Sequence, residues 1–359
     1  MKMTTYKIKD ICDVINGRAY LQPELQKTGK YRILRVGNFF SSDRWYYSDM
    51  ELTDNKYCCE GDLLFAWSAS FGPKIWHGDK TIYHYHIWKM VPHEEVDKYY
   101  LYYWLRMSVD NLTAGTHGSV MAHMTKNDME NFFIDLPDKK TQEGVAAILA
   151  TLDSKIECNA QINRNLERQA QAIFDNMFPN SSSGNKCIGD IIKPKRGKGL
   201  LSKDAIVGNV PVVAGGLEPA TFHNVANTCS PVLAISASGA NAGYVSLWNM
   251  PIWSSDSSYI DSSMTTNVYF WYVLLKMRQQ EIYDAQTGSA QPHIYPQHIA
   301  QMPLSDLCAK DIDQYTKIVT PLFETIGHNK LQNSELSSLR DTLLPKLMSG
   351  EIDVSEVEV

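Results

Sequence analysis

The sequence predicts an α+β chain: two tandem globular domains and two long helices that pair antiparallel as a coiled coil, in a pseudo-two-fold arrangement. Three observations carry this expectation. The chain repeats itself internally, each repeat ends in a strict apolar seam of helical period, and short strand-like runs separated by Gly and Ser precede each seam.

The repeat is clearest at an offset of 170, where residues 99–178 align with 269–348 without a gap and fourteen of eighty positions are identical. Tyr99, Tyr102, Leu105 and Met107 meet Tyr269, Tyr272, Leu275 and Met277, which marks one face of a helix. Gly118, Ser119 and His123 meet Gly288, Ser289 and His293 in a turn. Upstream, Ile8, Asp10, Ile11 and Gly17 match Ile188, Asp190, Ile191 and Gly197 at an offset of 180, and Ala66–Ser70 (AWSAS) matches Ala234–Ser238 (AISAS) at 168.

Strand-like runs fall at Tyr31–Val36, Leu63–Trp67 and Thr81–Met90 in the first copy. They fall at Val210–Ala214, Val232–Ser236 and Tyr244–Trp248 in the second. The long helix of the first copy carries Leu149, Leu152, Ile156, Asn159, Asn163, Leu166, Ala170, Ile173 and Met177 at alternating steps of 3 and 4. The second copy repeats this with Val319, Leu322, Ile326, Asn329, Asn333, Leu336, Arg340, Leu343 and Leu347. Such a narrow stripe is a coiled-coil seam, and paired Asn layers fix its register because each amide is satisfied only by a polar partner. The expected segments are 1–140 and 186–310 as globular domains, 141–178 and 311–350 as helices, 179–185 as linker and 351–359 as an acidic tail.

Net charge is −6, yet two regions run the other way. Arg18, Lys27, Lys30, Arg32, Arg35 and Arg44 face only Glu24 and Asp43. Lys186, Lys193, Lys195, Arg196, Lys198 and Lys203 face only Asp190 and Asp204. Two local excesses of +4, one per copy, suit contacts to phosphate. Trp45 and Tyr46, beside Arg44, are the rings best placed to stack on a base, whereas most other aromatics of that region are expected to pack in the core.

Signs of catalysis are sparse. No G-x-x-x-x-G-K-[ST], H-E-x-x-H or N-P-P-[FY] string occurs. A nuclease-like string, Pro137-Asp138 then Asp153-Ser154-Lys155, falls partly within the seam helix. His84 and His86 alternate on a strand and would more often be a satisfied strand face than a metal pair. The seven cysteines form no C-x-x-C pair, no apolar run approaches the ~18 residues of a membrane helix, and the first residues do not read as an export signal, so a cytosolic protein without metal is expected.

The string LLPKLMSGEI (Leu343–Ile352), the turn GSAQPHI (Gly288–Ile294) and the repeated globe-plus-helix plan resemble the DNA-specificity subunit of type I restriction-modification systems, over essentially the whole chain. The first copy departs at the turn, reading GSVMAHM (Gly118–Met124). The resemblance implies a non-catalytic subunit with two target-recognition domains, each reading half of a split sequence in double-stranded DNA. It implies helices that act as spacer and as docking surface for two methyltransferase subunits, which support restriction/translocase subunits. S-adenosylmethionine, ATP and Mg would be bound by those partners. The expected DNA contacts are then Arg18, Lys30, Arg32, Arg35, Arg44, Lys193, Lys195, Arg196, Lys198 and Lys203 with Trp45 and Tyr46, the serines of the repeated strings (Ser68, Ser70, Ser236, Ser238), and the turn residues Ser119, His123, Ser289 and His293. Competing readings are a scaffold that does not touch DNA and a stand-alone DNA-modifying enzyme.

Overall fold

The computed structural model describes residues 2–40, 44–113, 124–288 and 292–354, which form two compact units: 1–156 with 335–359, and 157–334.

In unit 1 the order is β1 (Thr4–Lys7), α1 (Ile8–Ile11), β2 (Cys12–Asn16), β3 (Tyr31–Leu34), α2 (Val36–Phe40), β4 (Tyr46–Ser48), β5 (Tyr57–Cys58) and β6 (Leu63–Ser68). There follow β7 (Ser70–Ile75), β8 (Thr81–Tyr83), β9 (Ile87–Pro92), α3 (Lys98–Thr113), α4 (Lys126–Asn131), β10 (Phe133–Leu136) and the start of α5 (Lys139–Met177). Its sheets run β2-β9-β6-β7 and β4-β3-β8-β5, and β1 pairs β10. Strand β6 shows how its sequence builds this. Successive side chains of a strand point to opposite faces, so Leu63 and Phe65 enter the core under α3 while Leu64 and Ala66 enter a second core with Leu34 and Tyr83. A strand buried on both faces has to be apolar throughout, as LLFAW is.

Unit 2 repeats the plan with the end of α5, β11 (Lys186–Cys187), α6 (Ile188–Ile191), β12 (Lys195–Arg196), β13 (Val210–Val213), β14 (Thr221–His223) and β15 (Val232–Ser236). Then come β16 (Val245–Trp248), β17 (Trp253–Ser254), β18 (Ser257–Asp261), α7 (Val268–Met277), α8 (Gln279–Asp284), α9 (Pro296–Ala300), β19 (Pro303–Leu304) and α10 (Ala309–Ser349), whose last residues return to unit 1. The sheets are β12-β18-β15-β16 and β14-β13-β17, with β11 on β19. As β3 runs parallel to β8, so β13 runs parallel to β17. The starts of α4, β10 and α5 recur at an offset of 170 in α9, β19 and α10.

One alignment of the sequence needs correcting. The AWSAS and AISAS strings pair at an offset of 168, but in the sheets Ala66 faces Ile87 and Ser236 faces Ser257, so 170 holds here too. A slip of two residues preserves which face each side chain points to, so the apolar pattern does not reveal it.

The long helices are antiparallel within each unit. In unit 2, Asn159 donates to Gln332 and Asn333 at 2.7 and 2.8 Å, and Asn329 donates to Asn163 at 2.8 Å. Leu166, Ile173, Leu322 and Ile326 then pack on the unit 2 core beside the fully buried Phe174, Tyr315 and Phe323. In unit 1, Leu149 is fully buried and Leu343 packs beside Leu344 and Leu347, whereas Leu152, Ile156 and Leu336 are half-buried. The narrow seam thus holds in the middle of each helix, and the stripe widens where the helix also covers a globular core. The acidic tail is not separate at its start: Val354 is buried against Gly144, where a Cβ would lie 3.4 Å from its side chain. Among the described residues no helix is long and apolar enough to cross a membrane.

Candidate nucleic-acid interface

In unit 1 the two sheets meet at the turn between β8 and β9, His84-Tyr85-His86. The amide of Arg18 donates to the Tyr83 carbonyl at 3.1 Å, and that of Tyr85 donates to the Arg18 carbonyl at 3.0 Å. Gly17 makes this approach possible, because a Cβ there would lie 2.3 Å from the His84 carbonyl oxygen. Trp67 clamps the other side. Its amide donates to the His86 carbonyl at 3.1 Å and its indole N–H to the Tyr85 carbonyl at 2.8 Å. The turn is therefore fixed by backbone on both flanks while Tyr85 remains exposed. Burial, then His86 and Arg35, bring the His84 pKa down to about 4, and burial and Arg35 lower that of His86.

Arg35 links this turn to a set of guanidinium–ring contacts. Arg35 and Arg44 lie 5.2 and 5.5 Å from the Tyr46 ring, and Arg32 lies 5.4 Å from the Trp45 ring. Trp45 and Tyr46 are half-buried rather than free-standing rings, each also packed on a core beneath. The basic residues divide. Arg18 is forked onto Glu24 at 2.7 and 3.2 Å and Lys30 pairs with Glu51, whereas Arg32 and Arg35 have no carboxylate partner among the described residues. Ser70 is exposed beyond Ala69, a non-glycine residue at φ 66° that turns β6 into β7 in one step, while Ser68 is buried.

Unit 2 builds the corresponding edge from different side chains. Gly197 sits against the Ser254 carbonyl, 2.5 Å from where its Cβ would be, and the Lys198 amide donates to the same carbonyl at 2.9 Å. Ser254 and Ser255 are buried, and Asp256 is the residue of the turn that reaches solvent. It holds Arg196 at 2.5 Å and accepts a very short hydrogen bond from Ser238. Lys193, Lys195, Lys198 and Lys203 are exposed without a carboxylate partner among the described residues. His293 exchanges backbone hydrogen bonds with Thr287 at 2.8 and 3.0 Å and stacks on Tyr295. Ser236 is buried, with no partner for its hydroxyl among the described residues. Ser119, His123 and Ser289 lie outside the described residues.

Residues 1–168 match the profile of the type I restriction modification DNA specificity domain. The chain is 24% identical over 311 residues to the type I restriction enzyme MjaIX specificity subunit of Methanocaldococcus jannaschii, covering 75% of this chain and 72% of that one. It is also 24% identical over 272 residues to a type I specificity subunit of Mycoplasma genitalium, 70% of this chain and 71% of the other. The first 168 residues are thus similar to a type I specificity domain, and the relatives matched over most of the chain are type I specificity subunits. The chain's fold is that of the crystal structure of the type I restriction-modification S subunit from M. genitalium, with a TM-score of 0.62, 19% identity and coverage of 97% and 96%.

The carboxylates of the nuclease-like string have structural partners. Asp138 caps α5, accepting from the Thr141 amide at 3.2 Å and its hydroxyl at 2.7 Å, which holds its carboxyl below the usual range. Asp153 accepts from Arg340 at 2.5 Å and Tyr103 at 2.7 Å. The nuclease-like string is thus a helix cap and an ion pair. Among the described residues no group of three or more His, Cys, Asp or Glu side chains could hold a metal ion. Sequence reasoning missed Tyr85 and Asp256 as surface features. The signal that could have found them was the Gly17/Gly197 match, since both glycines exist to seat these turns.

Proposed function

We propose that each globular unit of this specificity subunit reads one half of a bipartite target in double-stranded DNA. The helix pair sets the gap between half-sites and docks two methyltransferase subunits, which in turn carry restriction/translocase subunits in the cytosol. S-adenosylmethionine, ATP and Mg belong to those partners, and the chain itself transfers nothing. The observation that carries this reading is the recurrence, at corresponding edges of both units, of basic side chains without a carboxylate partner among the described residues: Arg32 and Arg35 in one, Lys195 and Lys198 in the other. Such cations on a protein of net charge −6 suit phosphate contacts, which position a protein on the duplex, while adjacent side chains read bases.

The test is a salt titration of DNA binding by the subunit assembled with its methyltransferase partners. Changing Lys195 and Lys198 to Ala should weaken binding to all sequences alike and flatten the log–log salt slope by about 0.9 per lost phosphate contact. An unchanged slope would remove this edge from the interface. Methyl transfer by the subunit alone would overturn the non-catalytic reading.

A further inference from the structure

The turns after β8 and β17 occupy the same place in their respective units. Asn16 faces Trp88 and Arg196 faces Ser258 across equivalent strand pairs. The Gly17 and Gly197 amides donate to the Ile87 and Ser257 carbonyls at 3.2 and 2.8 Å. The Trp67 and Ala237 amides each donate at 3.1 Å to the residue in question, His86 in unit 1 and Asp256 in unit 2. We infer that this place is where each domain discriminates bases, through His86 with Tyr85 in unit 1 and through Asp256 with Arg196 in unit 2. The inference rests on the DNA-reading function proposed above.

Three features support it. First, the backbone bonds from Gly17 and Gly197 and from Trp67 and Ala237 recur and hold both turns, while the side chains they present differ, as suits two readers of different half-sites. Second, both turns have cations nearby, Arg35 at one and Lys195 and Lys198 at the other. Third, the side chains suit base edges better than phosphate. Asp256 can only accept hydrogen bonds, and phosphate would repel it. Within a basic edge its natural counterpart is an exocyclic amino group, cytosine N4 above all. The ion pair with Arg196 and the hydrogen bond from Ser238 hold that carboxylate in place. His86 lies edge-on to Trp67 at 5.1 Å and against Tyr85 at 3.9 Å between ring centres, a rigid aromatic unit whose neutral imidazole can both donate and accept.

The full chain assembled with its methyltransferase subunits should be used to select bound duplexes from a random pool, which are then sequenced. The unmodified complex should return two half-sites. Asp256→Asn should relax or redirect one position of one half-site, toward adenine, which an amide pairs with in the major groove. His86→Ala and Tyr85→Ala should relax the other half-site only. Discrimination at the affected positions should fall about 5- to 100-fold. If His86→Ala fails to fold, Tyr85→Ala still tests unit 1, because its ring is largely outside the core. If Asp256→Asn fails to fold, Asp256→Glu keeps the charge and displaces the carboxylate by one methylene. Folded, assembled variants that select both original half-sites would overturn the inference while leaving DNA reading intact. An unmodified complex that selects no sequence would instead overturn the DNA-reading function itself.

Discussion

Asn163 is a seam residue whose worth can be measured cleanly. It accepts a hydrogen bond from Asn329 at 2.8 Å, and both are buried, so Asn163→Leu strands the Asn329 amide and should cost about 1–3 kcal/mol in urea unfolding. Asn163→Leu with Asn329→Leu should recover most of that loss, because removing both partners of a buried polar pair is far cheaper than removing one. A stabilising single change would place these amides in contact with water or a partner subunit. His84 offers a second measurement at this scale. Its pKa is pushed down to about 4 in the folded protein, below the ordinary value near 6.5. Between those values the unfolded chain binds a proton that the folded chain refuses, so this residue destabilises the fold as pH falls from about 6.5 towards 4. His84→Gln should therefore flatten the decline in unfolding midpoint between pH 6.5 and 5, where most carboxylates remain ionised. An unaltered slope would mean that the imidazole is hydrated.

At the scale of elements, what the sequence discloses depends on the distance over which partners are found. The seam is local, since steps of 3 and 4 record which side chains leave water, and it is legible without knowing the partner helix. The two-residue slip between the AWSAS and AISAS strings is illegible because strand period cannot distinguish registers two apart. Arg340 shows the same limit. It stands at a seam position where the first copy has Ala170, and it is buried with its guanidinium on Asp153 at 2.5 Å and Asp341 at 2.9 Å. Asp153 lies 187 residues away, so no local pattern announces the pair. The candidate interface was legible in its basic residues and in Trp45 and Tyr46. Its turns were not, because Tyr85 and Asp256 differ between copies while the glycines that seat them match. Arg340 also defines a prediction for its element. Asp153→Asn removes the better placed of two carboxylates from a buried guanidinium and should cost on the order of 2–3 kcal/mol. Combining it with Arg340→Met should restore stability, as apolar replacements of buried ion pairs often do. Equal losses in the single and double variants would assign Asp153 a role outside this pair.

For the whole molecule, the decisive property is that α5 and α10 each belong to both units, with the boundary between Ile156 and Glu157 in one and between Ser334 and Glu335 in the other. If the helix pair sets the gap between half-sites, its length should be adjustable without touching either reader. The place matters. An insertion near Ala172 would shift Phe174 out of the unit 2 core, where it is fully buried, and so would damage the domain it was meant to move. Seven residues inserted at both boundary points instead preserve the phase of the seam and lengthen each helix by ~10.5 Å. At about 3.4 Å per base pair that is about three base pairs of duplex. The complex with its methyltransferase subunits should then methylate the same two half-site sequences separated by a gap about three base pairs longer. Affinity should fall, because three added steps also rotate one half-site around the duplex relative to the other. Methylation mapped across a genome reads half-site identity and gap together. A new base sequence would mean that the insertion had disturbed the readers, and an unchanged gap in an active complex would mean that the partner subunits, not these helices, fix the spacing.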